Sequence, residues 1–311
     1  MYAFLSQKHE RRRCGFIQRS ALGAWYQLVV IGTIALLSTA SNALAIDCKS
    51  KAYPADRLVC GNKQLETAYN EMESAYDTLL KQAPDDQIRT MLKLSQERWR
   101  AALDLAVDMI KGESDVPYGE EAEEGADEGP TPQVITMNNI EARLGDLSTR
   151  EKDGTPTLIA KALKQRLFAA KFSGGNFAGF ETSCNFMPPD YGYYACFATR
   201  HYQNGSRICS QDEYWASGSV YENRFVADVV NGEPKLVASC TFNGKDTSCL
   251  GDGAHSKRWN VHPDPRKGLY PTSQLPKLDA EIDTDDQRWL KPCLTDTSFP
   301  IADPTRSGEE N

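Results

Sequence analysis

At Gly174-Gly175 the apolar pattern of the chain changes its period, and no other feature limits the fold so strongly. Before that point the spacing is helical. Leu58, Leu65, Tyr69, Met72, Tyr76 and Leu79 follow one another at steps of three, four and seven, and Ile88, Leu92, Ser95, Trp99, Ala102, Ala106 and Ile110 do likewise. Each set lines one stripe of a helix. Pro84-Asp85-Asp86 between them is a break followed by an N-cap signal, so 46–111 reads as an antiparallel helical hairpin. Helical patterns return at 137–150 and 157–172, connecting helices within 134–175.

Beyond the two glycines the period is two. The stretches 193–202, 207–215, 220–230 and 235–242 are rich in aromatic and β-branched residues. Leu236, Ala238, Cys240 and Phe242 alternate with Lys235, Val237, Ser239 and Thr241, as residues on the two faces of a strand do. Asn204-Gly205, Asn231-Gly232 and Asn243-Gly244 are hairpin-turn dipeptides, because both residues tolerate positive φ. The expected class is α+β: a helical N-terminal part, then an antiparallel meander of four or five strands within 176–295. The polar stretch 296–311 reads as a disordered tail.

The ends and the middle of the chain carry composition signals. Lys8, Arg11, Arg12, Arg13 and Arg19 precede an apolar run from Leu28 to Leu37, and small residues end in Ala43-Leu44-Ala45. That order is a secretory signal peptide over 1–45 with cleavage near Ala45, and it places the mature chain in the periplasm or outside the cell. The apolar run is short for a spanning helix, and the mature chain carries no other. A mean hydropathy of −0.53 excludes a polytopic membrane protein.

Removal of the signal takes five of 35 basic residues and one of 43 acidic ones, which leaves a net charge of −12. An acidic chain of this kind is not a nucleic-acid binder. Between 112 and 133 lie eight acidic residues, four glycines and three prolines with no Lys or Arg, the composition of a flexible linker. Its carboxylates lack the regular spacing of a calcium loop.

Cys14 leaves with the signal, so the mature chain holds eight cysteines: Cys48, Cys60, Cys184, Cys196, Cys209, Cys240, Cys249 and Cys293. An even count in an exported chain reads as a disulfide framework, and eight cysteines allow 105 connectivities. His201, His255 and His262 lack the spacing of a metal site. No phosphate loop or dinucleotide fingerprint is present, so neither metal nor cofactor is expected.

Two stretches resemble known families. Cys48, Asp56-Arg57-Leu58-Val59-Cys60, Leu65, Met72, Tyr76 and Gln96-x-x-Trp99 resemble the N-terminal domain of LprI-type lysozyme inhibitors over about 47–110. The resemblance implies a Cys48–Cys60 bond that pins the leading segment to the first helix. Leu103 and Ala106 depart from it, standing where that family has Arg and a third Cys. Leu65, Tyr76 and Trp99 sit at helical spacing as core residues, and Gln96 is either a buried amide or a partner contact.

The second stretch, Trp215-Ala216-Ser217-Gly218-Ser219-Val220-Tyr221, is locally similar to the Ser-Gly-x-x-Tyr signature of MliC-type inhibitors of C-type lysozymes. It makes Ser217 and Tyr221 candidate partner contacts, with Val220 where a basic residue is usual. The resemblances imply lysozyme, or another basic protein, as partner.

Enzymatic readings have less support. Ser217, Ser219, His255 and Asp264 lack a Gly-x-Ser-x-Gly elbow. Carboxylates are so abundant that a glycosidase pair is not a signal. The sequence therefore reads as a non-enzymatic exported binding protein. An envelope module for a different partner is the second reading and a secreted hydrolase the third.

Overall fold

Pro54 opens α1 (Pro54–Cys60) at a position where its missing N–H leaves no bond unmade. The apolar period continues past Cys60 without a gap, yet the helix stops. Asn62 Oδ1 accepts from the backbone N–H groups of Gln64 (2.9 Å) and Leu65 (3.3 Å) and starts α2 (Lys63–Gln82) afresh. Asp85 Oδ1 accepts from Ile88 N at 3.0 Å at the head of α3 (Asp86–Ser114). Thr131 Oγ1 accepts from Val134 N at 3.3 Å and opens α4 (Pro132–Ser148); α5 (Thr157–Phe172) follows. Both ends of the stretch assigned by sequence to an acidic linker are thus helical, and its middle, 115–130, lies outside the described residues.

The computed structural model describes residues 46, 48–49, 53–114, 131–172, 174–216, 218–242, 259–264, 275–282 and 289–300, all within one compact unit, Asn42–Asn311. The signal segment 1–45 is outside them. Among them no helix is long and apolar enough to cross a membrane.

The α+β class holds. A single antiparallel sheet runs in chain order, β1 (Gly179–Met187), β2 (Tyr193–Asn204), β3 (Arg207–Ala216), β4 (Ser219–Val230) and β5 (Glu233–Phe242). β1 is the strand the period-two reading did not name, although Phe180, Thr182, Cys184 and Phe186 alternate with polar neighbours. Asn231 and Gly232 both take positive φ (55° and 85°) in the β4–β5 turn, the conformation that dipeptide serves. At β2–β3 Asn204 pairs with Arg207, so the turn is Gly205-Ser206, one residue later than the dipeptide implied.

Among the described residues three disulfides have both cysteines placed. Cys48–Cys60 ties the leading segment to the end of α1, Cys184–Cys196 joins directly opposed residues of β1 and β2, and Cys209–Cys293 joins β3 to α6 (Leu290–Thr295). Cys240 is disulfide-bonded as well, and Cys249 lies outside the described residues.

α2 packs chiefly on α4, and α3 on β1, rather than the first two long helices chiefly on each other. The larger core therefore mixes helix and sheet. Leu65, Met72, Tyr76, Leu92, Trp99, Ile140 and Ile159 share it with Phe186, Tyr191, Leu278 and Ala280. The Trp99 ring meets Phe186 edge-on at 6.4 Å. A second core gathers Phe172 of α5, Phe180, Tyr202 and Val226 of the sheet, and Trp259, Trp289 and Phe299. Phe299 belongs to the stretch the sequence assigned to a frayed tail. It is buried against Trp259 at 5.4 Å, and its carbonyl accepts from Arg207 Nη1 at 2.8 Å. The described chain ends at Pro300, and 301–311 lie outside it.

Residues 275–282 strap the two parts together. Phe180 N of β1 donates to Pro276 O at 2.9 Å. The Gln165 amide of α5 exchanges two bonds with the backbone of Asp279, at 2.7 and 2.6 Å, as a neighbouring strand would. Arg98 of α3 pairs with both oxygens of the buried Asp279 carboxylate, at 2.7 and 2.6 Å.

Candidate partner-binding cleft

An open cleft of about 610 Å³ lies between α3 and the β1–β3 part of the sheet. That volume is in the range of ligand and recognition sites. Its helical wall is Ala102, Leu105, Ala106 and Met109, spaced so that all four share one side of α3. The two alanines are buried and leave the wall low. Leu105 and Met109, one turn apart, stand half exposed at 48% and 50%.

The opposite wall follows from strand register. Glu181 of β1 lies opposite Thr199 of β2, and Thr199 opposite Asp212 of β3, so three polar side chains form one cross-strand row. Two residues along each strand come Ser183, Phe197 and Tyr214, which strand alternation places on the same face. All six line the cleft. Tyr214 pairs with Tyr221 of β4, and their rings stack at 5.3 Å and 11°. Tyr214 and Trp215 remain 42% and 37% exposed, unusual for large aromatic side chains next to a core.

The charge of the cleft is negative. Glu181, Asp212 and Glu213 line it, and no Lys or Arg does among the described residues. Glu213 is balanced from beneath by Arg200 at 2.7 Å and accepts from Gln211 Nε2 at 2.8 Å. Burial, then the facing Glu222, push its carboxyl above the usual range, while Arg200 opposes them. Asp212 accepts from the Thr199 hydroxyl at 2.7 Å, which fixes its carboxylate. The Glu181 side chain makes no hydrogen bond or ion pair among the described residues. The uncompensated charge is that of Glu181 and Asp212.

Of the residues singled out in the sequence, Tyr221 backs the cleft through its stack with Tyr214. Ser217 lies outside the described residues, between two that are described at the β3–β4 turn. Gln96 is an interior residue, 1% exposed. Its Nε2 donates to Met72 Sδ at 3.2 Å and Glu73 Oε1 at 3.4 Å, and its Oε1 accepts from Arg143 Nε at 3.0 Å. It offers nothing to a partner. Burial raises the Glu73 carboxyl, and bonds such as that from Gln96 only partly offset the effect. Leu65, Tyr76 and Trp99 are buried in the larger core.

The sequence reading missed Leu105 and Met109. Their signal was two apolar residues one turn apart that fall off the main stripe of α3.

No histidine or cysteine lines the cleft among the described residues. His255 is outside the described residues, and no cluster of metal-ligand side chains occurs among those described. A serine–histidine contact does exist elsewhere in the sheet. His201 Nδ1 lies 2.7 Å from Ser210 Oγ, with both residues buried and neither lining the cleft. No family model matches this chain, and no curated protein or solved structure matches it either.

Proposed function

We propose that this chain is an exported, non-enzymatic protein that binds a cationic protein, with lysozyme the first candidate. The observation that carries the reading is the cleft. Carboxylates without a lining cation, beside exposed aromatic and apolar side chains, match a basic surface and repel an acidic one. The family resemblances at 47–110 and 215–221 supply the name of the candidate, and disulfides suit an oxidising compartment outside the cytoplasm. A mature charge of −12 speeds encounter with any basic protein.

The test is a lysozyme activity assay with the oxidised mature protein over a range of salt. Saturable inhibition that survives physiological ionic strength is expected, since attraction by net charge alone fades with the Debye length, about 8 Å there. Trp215→Ala weakens it with the melting temperature nearly unchanged. Ser217→Ala weakens it by about 1 kcal/mol, one hydrogen bond. Absence of inhibition at concentrations well above micromolar removes lysozyme as the partner.

A further inference from the structure

We infer that the cleft selects an arginine- or lysine-bearing segment of its partner, with the cation at the sheet wall and an adjacent apolar side chain on α3. The inference rests on the reading of the chain as a binding protein and names the chemistry of what is bound. Asp212 and Glu181 flank Thr199 from the two neighbouring strands, so their Cα atoms are about 10 Å apart, two strand spacings. A guanidinium or ammonium above Thr199 lies within reach of both. The Thr199 bond to Asp212 holds one carboxylate in place before any guest arrives.

One row along the same face, Tyr214 has a single side taken by Tyr221. Its exposed side, with Phe197 beside it in the lining, is an aromatic surface next to two carboxylates. That pairing attracts a cation by charge and by ring quadrupole together. Across the cleft Leu105 and Met109 offer half-exposed apolar surface and no charge. An anionic guest meets three carboxylates, and a fully apolar guest leaves them desolvated. A cationic amphipathic segment meets neither penalty.

The experiment uses the full oxidised chain and three probes: a short peptide alternating Arg and Leu, its Glu–Leu counterpart, and the N-acetylglucosamine tetramer. Binding is read by calorimetry at low and at physiological salt. The Arg–Leu peptide alone is expected to bind. Glu181→Gln with Asp212→Asn, isosteric changes that keep the Thr199 contact, weakens it about tenfold or more. Leu105→Ser with Met109→Ser weakens it comparably. Glu141→Gln, an exposed carboxylate on α4 outside the lining, changes it less than twofold.

Equal losses from Glu141→Gln and the cleft variants overturn the inference, as does tighter binding of the tetramer or of the Glu–Leu peptide. The same variants separate this inference from the lysozyme reading. Lysozyme binding unaffected by both cleft pairs overturns the inference and leaves that reading standing. Peptide binding lost in the cleft variants, with no lysozyme binding by the unaltered protein, supports the inference and removes lysozyme.

Discussion

His201 is a histidine that the fold keeps neutral. Burial, with Lys277 nearby, lowers its pKa from 6.5 to about 4. As pH falls below 6.5 the unfolded chain takes up a proton that the folded chain refuses. Stability is therefore full above pH 6.5 and declines until pH reaches about 4. The decline from this one group is roughly 3 kcal/mol, at 1.36 kcal/mol per pKa unit. Urea unfolding at stepped pH should show a gentler slope across that window in His201→Gln than in the unaltered chain. Trp99 is a packing residue in the same sense. Trp99→Ala should cost about 3–5 kcal/mol through a cavity, measured by thermal unfolding, and reduce binding only as far as the fold is lost. Its burial was legible from helical spacing. The place of Gln96 was not, because its bonds depend on Met72 and Glu73 of α2 and on Arg143 of α4.

Among the elements, α3 carries the heaviest duties. One side fills the larger core, a second lines the cleft, and Arg98 reaches the strap. Arg98→Met leaves the buried Asp279 carboxylate without its cation, so a loss of about 3–5 kcal/mol is expected in denaturant titration. Arg98→Met combined with Asp279→Asn should recover much of that loss, since no buried charge is then orphaned. Periodicity read α2, α3 and four of the strands because each buries one face over many residues. It missed the break at Gly61-Asn62, where a side chain outcompetes the helix backbone over a single turn. It also missed α6, which is one turn and a half held by the Cys209–Cys293 bond. The cleft was half legible. Trp215 of its rim and Tyr221 behind it lie in the 215–221 stretch, but the row of Glu181, Thr199 and Asp212 exists only once three strands are in register.

At the scale of the molecule, the helical and β parts form one body, joined by the mixed core around Trp99 and Phe186 and by the strap. No local pattern announces such a union, because Gln165 and Asp279 are far apart in sequence and both look like surface residues. A protease site inserted between 115 and 130 tests it. The cut protein should elute as one species without denaturant and separate only when unfolded, since each described disulfide lies wholly on one side of the cut. Two species in native buffer would show independent domains. The strap also sets an order in time. The helices are made first, yet the partners of Arg98 and Gln165 lie at 279 and 282. The apolar side of α3 is covered once β1 emerges, but Arg98 and Gln165 stay without these partners until 279–282 follow, and only then is the first half of the chain fastened to the sheet.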